Sequence, residues 1–168
     1  MRMLCRLVIG ASLLAVPACS WSPVGSAWQT MTLIQSRPVY VEVSDGDAVR
    51  EVGEGLAFEA ALRDESGQPI GQLLGENTII DLPGEDGVGG ANVEERFTRL
   101  SFVLQNGDEI VVQGANTYPL AKREIKADAP QYRPLIGGTG RYKGIRGQVE
   151  TMRSPDGTFT HRLEYRLD

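Results

Sequence analysis

The stretch "LIGGTGRYKGIRGQVETM" (135–152) decides how the rest of the chain is read. Its glycines at 137, 138, 140, 144 and 147 suggest at first a loop that cradles phosphate. Such a loop lies between a strand and a helix, because the amides of the helix N-terminus meet the anion. No helical pattern follows here, and "IRGQVETM" alternates as a strand does. The spacing is GxGxxxG and not GxGxxG, and the Lys-Ser/Thr of a P-loop is missing. Glycine at Gly144 and Gly147 then predicts sharp bending and close backbone approach in a tightly curved sheet.

The segment after it supports that reading. "SPDG" (154–157) is a turn, and placing Ser154 opposite Thr158 separates two faces. One carries Arg146, Gln148, Glu150, Thr160, Arg162, Glu164 and Arg166. The other carries Ile145, Gly147, Val149, Thr151, Phe159, His161, Leu163 and Tyr165. A strand between water and an interior requires that alternation. Upstream, "RFTRLSFVLQ" and "DEIVVQGANTY" flank Asn106-Gly107, a type I′ turn signal. A two-residue loop sets Gln105 opposite Asp108. Phe97, Arg99, Ser101 and Val103 then share a face with Ile110, Val112, Gly114 and Asn116. Thr98, Leu100, Phe102 and Leu104 share the other with Glu109, Val111, Gln113 and Ala115. Both faces are largely apolar.

From Thr30 onward no amphipathic helix is apparent. "TLIQSRPVYVEV" reads as one or two strands, with Pro38 forcing an edge or a break. "LAFEAALRD" (56–64) and "IGQLLGENTIID" (70–81) are strands joined by "ESGQP", and the polar "LPGEDGVGGANVEE" (82–95) reads as a long mobile loop. The expectation is an all-β domain of seven or eight strands. A sandwich and a barrel both fit the periodicity.

The 168 residues suit one domain able to bury a real core. The net charge of −5 argues against a nucleic acid or other polyanion partner. "KREIK" (122–126) is a short basic patch interrupted by Glu124, read as a solvated face. Residues 1–19 have the charged start, short apolar run and small-residue end of a secretory signal. "VPAC" (16–19) is similar to a bacterial lipobox, so Cys19 is either a lipidated first residue or a lone thiol after ordinary secretion. Lipid on Cys19 is the one membrane attachment expected. Cys5 leaves with the signal, so no internal disulfide remains. Residues 20–30 read as a tether and 31–168 as the domain, exported to the periplasm, envelope or medium.

"GGTGRYKGIRGQV" (137–149) resembles the C-terminal signature of the allene oxide cyclase and dirigent barrel superfamily. Dirigent proteins carry a Gly-Thr-Gly…Arg-Gly run, and the plant cyclases a Gly-Gly-x-Gly run ending in Gly-Gln-Val. "VVQG" (111–114) matches the Val-Gln-Gly before the cyclases' pocket tyrosine, and "VGEGLAFEAALRDESGQPIG" (52–71) is similar to their second strand and turn. The resemblance implies an eight-stranded antiparallel β-barrel, commonly a homotrimer, with a mostly apolar cavity. It also exposes departures. The cyclases' pocket asparagine, cysteine and tyrosine fall at Ala60, Asn77 and Asn116, and Glu42 corresponds to the glutamate of their first strand. The dirigent proteins' paired aspartates are absent where "AALRD" stands. The resemblance therefore supports the fold more than one activity.

The carry-over turns the Arg99–Asn116 face inward, and the alternation turns the His161–Tyr165 face inward. The expected lining is apolar, with Phe58 and Phe97 beside the polar Asn77, Arg99, Ser101, Asn116, His161 and Tyr165, the usual form of a small-molecule site. His161 is a candidate general acid or base, or a satisfied core residue. Tyr165 could donate to a ligand oxygen or rest its hydroxyl in water. Arg99 could stabilise a carboxylate or enolate, or pair with Glu42 or Asp64. Asn77 and Asn116 would hold a ligand by hydrogen bonds. The chain has one histidine and no GxSxG elbow, so neither a zinc set nor a nucleophile elbow is read, and no cofactor or metal is called for. Two functions remain open. One is a barrel binding a small apolar or phenolic molecule and steering its cyclisation, isomerisation or coupling. The other is a non-catalytic binder or structural envelope lipoprotein.

Overall fold

The computed structural model describes residues 27–43, 51–83 and 92–168, with the side chains of 42 and 43 excepted. The expected signal, Cys19 and most of the tether lie outside them. The elements are β1 (Gln29–Gln35), β2 (Val39–Val43), β3 (Gly55–Arg63), β4 (Pro69–Asp81), β5 (Val93–Leu104), β6 (Glu109–Pro119), β7 (Gln131–Gly138), a 3₁₀ turn (Gly140–Tyr142), β8 (Ile145–Arg153) and β9 (Phe159–Leu167). They form one antiparallel sheet in the order β1-β9-β8-β7-β6-β5-β4-β3-β2, and a β1–β3 pairing closes it. β1 and β2 lie end to end along β3, so the nine strands fill eight positions of a closed barrel.

The break between β1 and β2 has a chemical cause. Pro38 has no amide proton to give to a ladder. Gln35 pairs with Leu62, yet Val39 pairs with Glu59, so the first strand carries one extra residue. Ser36 bridges the fault. Its amide donates to the Ala61 carbonyl at 3.0 Å, and its hydroxyl accepts the Ala61 amide at 3.0 Å.

Inside the barrel, Leu33, Leu62, Leu73, Phe102, Ile110 and Leu163 are each 1% exposed or less. Full burial of such a side chain stabilises by about 1.5–3 kcal/mol. The glycine-rich run seals this apolar end. Thr139 accepts the Glu109 amide at 2.9 Å, and Arg141 Nε donates to Asp108 at 2.8 Å. Those ties swing Tyr142 under the barrel, where its ring meets Tyr165 edge-on at 6.0 Å.

The β5–β6 hairpin corrects one expectation. The Leu104 amide bonds to the Asp108 carbonyl and the Gly107 amide to the Leu104 carbonyl, both at 2.9 Å. The loop thus holds Gln105, Asn106 and Gly107, with Gly107 at φ 84°. Phe102 pairs with Ile110 and Val103 with Glu109. One more loop residue turns β5 over relative to β6. Leu100, Phe102 and Leu104 therefore enter the core with Ile110 and Val112, whereas Phe97, Arg99 and Ser101 lie on the outer wall. The β8–β9 hairpin keeps its expected register, with Arg153 opposite Phe159.

Two loop expectations are also corrected. β5 begins at Val93, inside the segment read as loop, and Glu94 within it is fully buried. The segment "KREIK" is not simply a solvated face, because its Ile125 is 4% exposed and packs with Tyr118 and Phe159.

Gly147 meets the expectation of close approach. At φ 152°, a Cβ there would lie 2.0 Å from the Glu164 carbonyl oxygen. Gly147→Ala should lower the unfolding free energy by at least about 2 kcal/mol. Gly137→Ala, where a Cβ would meet nothing within 4 Å, should be near neutral. Urea denaturation of both variants checks this.

Candidate functional site

The two ends of the lumen differ in chemistry. Opposite the Tyr142 plug, the inward positions are polar: Gln35, Asn77, Glu94, Arg96, Thr98, Arg133, Thr151 and His161 are each 3% exposed or less. The connection 120–130 between β6 and β7 crosses this end as a lid. Its Asp128 amide donates to the Arg153 carbonyl at 2.9 Å. Its Glu124 takes the Arg153 guanidinium on one oxygen and the Tyr40 hydroxyl, at 3.4 Å, on the other. Burial and the Glu124 carboxylate hold the Tyr40 phenol well above its usual pKa.

Arg96 ties wall to lid. Its Nε donates to Glu94 at 2.7 Å, with a second bond from Nη2 to the same oxygen. Nη1 reaches the Asn77 carbonyl oxygen and the Arg123 backbone carbonyl, each at 3.3 Å, and Nη2 also donates to the Lys122 carbonyl. The guanidinium lies 4.4 Å from the centre of the Tyr118 ring. A buried cation is tolerable when it is paired and its protons are placed, and each of these bonds serves that end.

Beneath the lid is a cavity of about 30 Å³, room for about one water molecule. Tyr40, Phe58, Leu100, Tyr118 and Phe159 line it, with Arg133, Thr151 and His161 on the inner side and Arg123 and Ile125 above. Phe58 covers Gly75, its partner across β3–β4, where any Cβ would strike the ring.

His161 is held on both ring nitrogens. Nε2 lies 2.8 Å from Gln35 Oε1 and Nδ1 lies 3.0 Å from Thr151 Oγ1. An amide oxygen only accepts, so Nε2 carries the proton and Nδ1 accepts from the threonine hydroxyl. Phe102 meets the ring edge-on at 5.0 Å, and Phe159 stacks on it at 6.4 Å. Burial, and secondarily the nearby Arg133 charge, push its pKa down to about 3. It is a neutral imidazole at physiological pH, with no nitrogen left for a ligand while these bonds persist.

The structure brings together only part of the expected site. His161, Asn77 and Phe58 line the cavity. Asn116 is on the inner face opposite Arg96, its Oδ1 buried without a hydrogen-bond partner among the described residues. Tyr165 points inward but belongs to the plugged end, with its hydroxyl 3.3 Å from Gln29 Oε1 and its pKa raised by burial. Leu163 separates it from His161. Arg99, expected in the lumen, is exposed on the outer wall opposite Glu76, with Ser101 and the 41%-exposed Phe97 on the same side. Glu42 pairs through its backbone with Leu56, and its side chain lies outside the described residues, as does Cys19. Asp64, the other partner suggested for Arg99, accepts bonds from Ser66 and Gln68 in its own turn.

Glu94, Arg96, Thr98, Tyr118, Arg133 and Thr151 are the additions to the site. One signal could have found several of them. Running the period-two pattern back from Leu104 and Phe102 reaches Thr98, Arg96 and Glu94 on the core side. The same step back from Leu135 reaches Arg133.

Comparison with known proteins places the fold. No protein-family model matches the chain. No curated protein matches it in sequence. Solved structures do match. A pyocyanin demethylase aligns at 21% identity over 82% of this chain and 99% of its own, with a TM-score of 0.62. The pterocarpan synthase dirigent protein GePTS1 aligns at 12% identity over 88% and 89%, with a TM-score of 0.60. The exo-specific intermolecular Diels-Alderase AbnU aligns at 16% identity over 83% and 98%, with a TM-score of 0.58. The chain has the closed β-barrel fold shared by dirigent proteins and cyclase-type barrels. At these identities the likeness establishes fold, and activity has to be argued from the site.

Two measurements test the site's electrostatics. Arg96→Met, which removes the guanidinium from buried Glu94 and releases two lid carbonyls, should cost about 3–5 kcal/mol in chemical denaturation. The Glu94→Gln/Arg96→Met pair should recover much of that loss. The unfolded chain protonates His161 near pH 6.5, the folded protein only near pH 3. Stability should therefore fall as pH drops through that window, at about 1.4 kcal/mol per unit from this one residue. From pH 6.5 to 5, above most carboxylate titration, His161→Gln should remove a loss of about 2 kcal/mol.

Proposed function

We propose that the protein is a small-molecule-binding barrel that takes a largely apolar, aromatic molecule at the lid end of its lumen and steers its cyclisation, isomerisation or coupling by shape. The observation that carries this reading is the convergence of Tyr40, Phe58, Tyr118 and Phe159 with buried polar groups, among them Asn77, Arg133 and His161, beneath the 120–130 connection. Aromatic walls with placed polar groups that fix orientation are a common form of ligand pocket. The names of the fold neighbours agree in kind, since a dirigent protein and a Diels-Alderase are among them. Holding a reactive molecule in one conformation can remove much of a barrier without a covalent step. His161, neutral and bonded on both sides, here shapes the pocket wall and transfers no proton.

Entry of a ring requires the lid to shift. The free space is the size of a water molecule, and Arg123 and Ile125 occupy the approach. The contacts to be broken include the Arg96 bonds to two lid carbonyls, the Glu124 ties and the seat of Ile125. A second reading, a structural barrel without a ligand, is favoured by the filled apolar end and the internal pairing of His161 and Arg96.

Thermal-shift titration with a panel of fused-ring aromatics, pyocyanin among them, separates the two. A ligand that binds only the native state stabilises it by about 2.7 kcal/mol at one hundred times its Kd. At least one compound should raise Tm in a saturable way, and Ile125→Ala, with a looser lid, should speed its association. If no compound shifts Tm in either the parent or Ile125→Ala, the structural reading stands.

A further inference from the structure

The polar end of the lumen has a charge that no described residue balances. Among the described residues Glu94 is the fully buried carboxylate there, and it is engaged by Arg96. Glu124 at the rim is taken by Arg153. Arg133 remains. It projects inward from β7, between β6 and β8, and is 3% exposed. Its hydrogen bond is a long one, from Nη2 to the Tyr118 hydroxyl at 3.5 Å, and its buried Nε has no acceptor. No carboxylate among the described residues reaches it, and it lines the cavity. Arginine does not escape the cost of burial by losing its proton. A buried cation without a counter-charge is expensive, and an incoming anion would relieve that cost.

We propose that Arg133 anchors an anionic oxygen, a carboxylate or phenolate, on the aromatic molecule held at the lid end of the lumen. This rests on the small-molecule reading above and adds the ligand's charge and orientation. An unfilled guanidinium edge offers parallel N–H donors that match a carboxylate. The hydroxyls of Tyr118 and Thr98, 3.0 Å apart, also line the cavity, and whichever of the two is not donating to the other can complete the oxygen's hydrogen bonds. The ligand's ring would then lie toward Phe58, Tyr40 and Phe159, displacing Arg123 and Ile125. The protein's net charge of −5 repels anions at long range. Preference for an acid must therefore come from the desolvated contact itself, where salt screens little.

The role that sequence reasoning gave to Arg99, stabilising a carboxylate or enolate, thus falls to a different arginine on a different strand. Arg99 on the outer wall provides the control.

The test is calorimetry and thermal shift on the parent protein with 2-naphthoate, its uncharged analogue 2-naphthamide, sodium chloride and inorganic phosphate. Naphthoate should bind at least tenfold more tightly than the amide. Arg133→Met should abolish the preference while its own Tm equals or exceeds that of the parent. Arg99→Met should leave the preference intact. Equal binding of acid and amide by the parent overturns the anchor and leaves the aromatic-binding reading standing. Binding of neither overturns it as well, and the fused-ring panel then decides the broader reading. Chloride or phosphate matching the naphthoate effect means an inorganic anion site and overturns the organic ligand. Should Arg133→Met fail to fold, Arg133→Lys keeps the charge and loses the fork. A weakened acid preference there supports the anchor, and an unchanged one overturns it.

Discussion

Closing a sheet on itself removes water from every side chain that faces the lumen, so each must be apolar or find a polar partner across the barrel. Here the closure runs through β1, held by β9 along its length and by β3 at Ile34 and Gln35. That short second contact commits the interior. At the Tyr142 end, leucines and aromatics fill it. At the other end, polar groups must satisfy one another, and most do so in pairs: Arg96 with Glu94, His161 with Gln35 and Thr151, Thr98 with Tyr118. Against that background Arg133 stands out, because among the described residues it has no counter-charge and its Nε has no acceptor.

The division into two ends follows from the same constraint. A barrel filled throughout by side chains is a core with no room for a ligand. The glycine-rich run closes one end with Tyr142 and fixes it through Asp108 and Arg141. The lid is built differently. Its ties include hydrogen bonds from Arg96 to backbone carbonyls, an ion pair from Glu124 to Arg153, and one inserted side chain, Ile125. Such ties can be exchanged for water or ligand contacts without unfolding a strand, so opening concentrates where stability is locally low.

The parts of the fold that were legible from the chain share a cause. The β8–β9 hairpin could be read because Arg146, Glu150, Arg162, Glu164 and Arg166 occupy one face, so a wrong register would have buried a row of charges. That reading correctly placed His161, Leu163 and Tyr165 inside. The β5–β6 hairpin offered no such penalty. Val111 and Val103 on one side are as apolar as Val112 and Phe102 on the other, and Asn-Gly suits both a two-residue turn and a three-residue loop with glycine at positive φ. The three-residue loop won, held by Asn106 and Asp108 side chains bonding to each other at 2.6 Å. Nothing in the alternation of β5 betrayed the slip. Closure itself, and the splitting of the first strand, depend on pairings between distant residues that local periodicity does not encode.

Site residues were harder to read for a related reason. Arg96 and Glu94 resemble solvated charges in sequence, being two residues apart in a polar run. Only the continuation of the Leu100–Phe102–Leu104 face shows that both point inward, and that face was assigned to the outside by the same one-residue error. Arg133 precedes Pro134 in "QYRPL", a stretch given no strand reading from the sequence, yet the stretch is a strand alternating Tyr132 out, Arg133 in. Correct phasing of two strands thus does more than relocate Arg99. It exchanges an exposed arginine, whose charge water already solvates, for a buried one whose charge nothing in the described protein neutralises. The free energy available to an anionic ligand differs between the two for that reason alone.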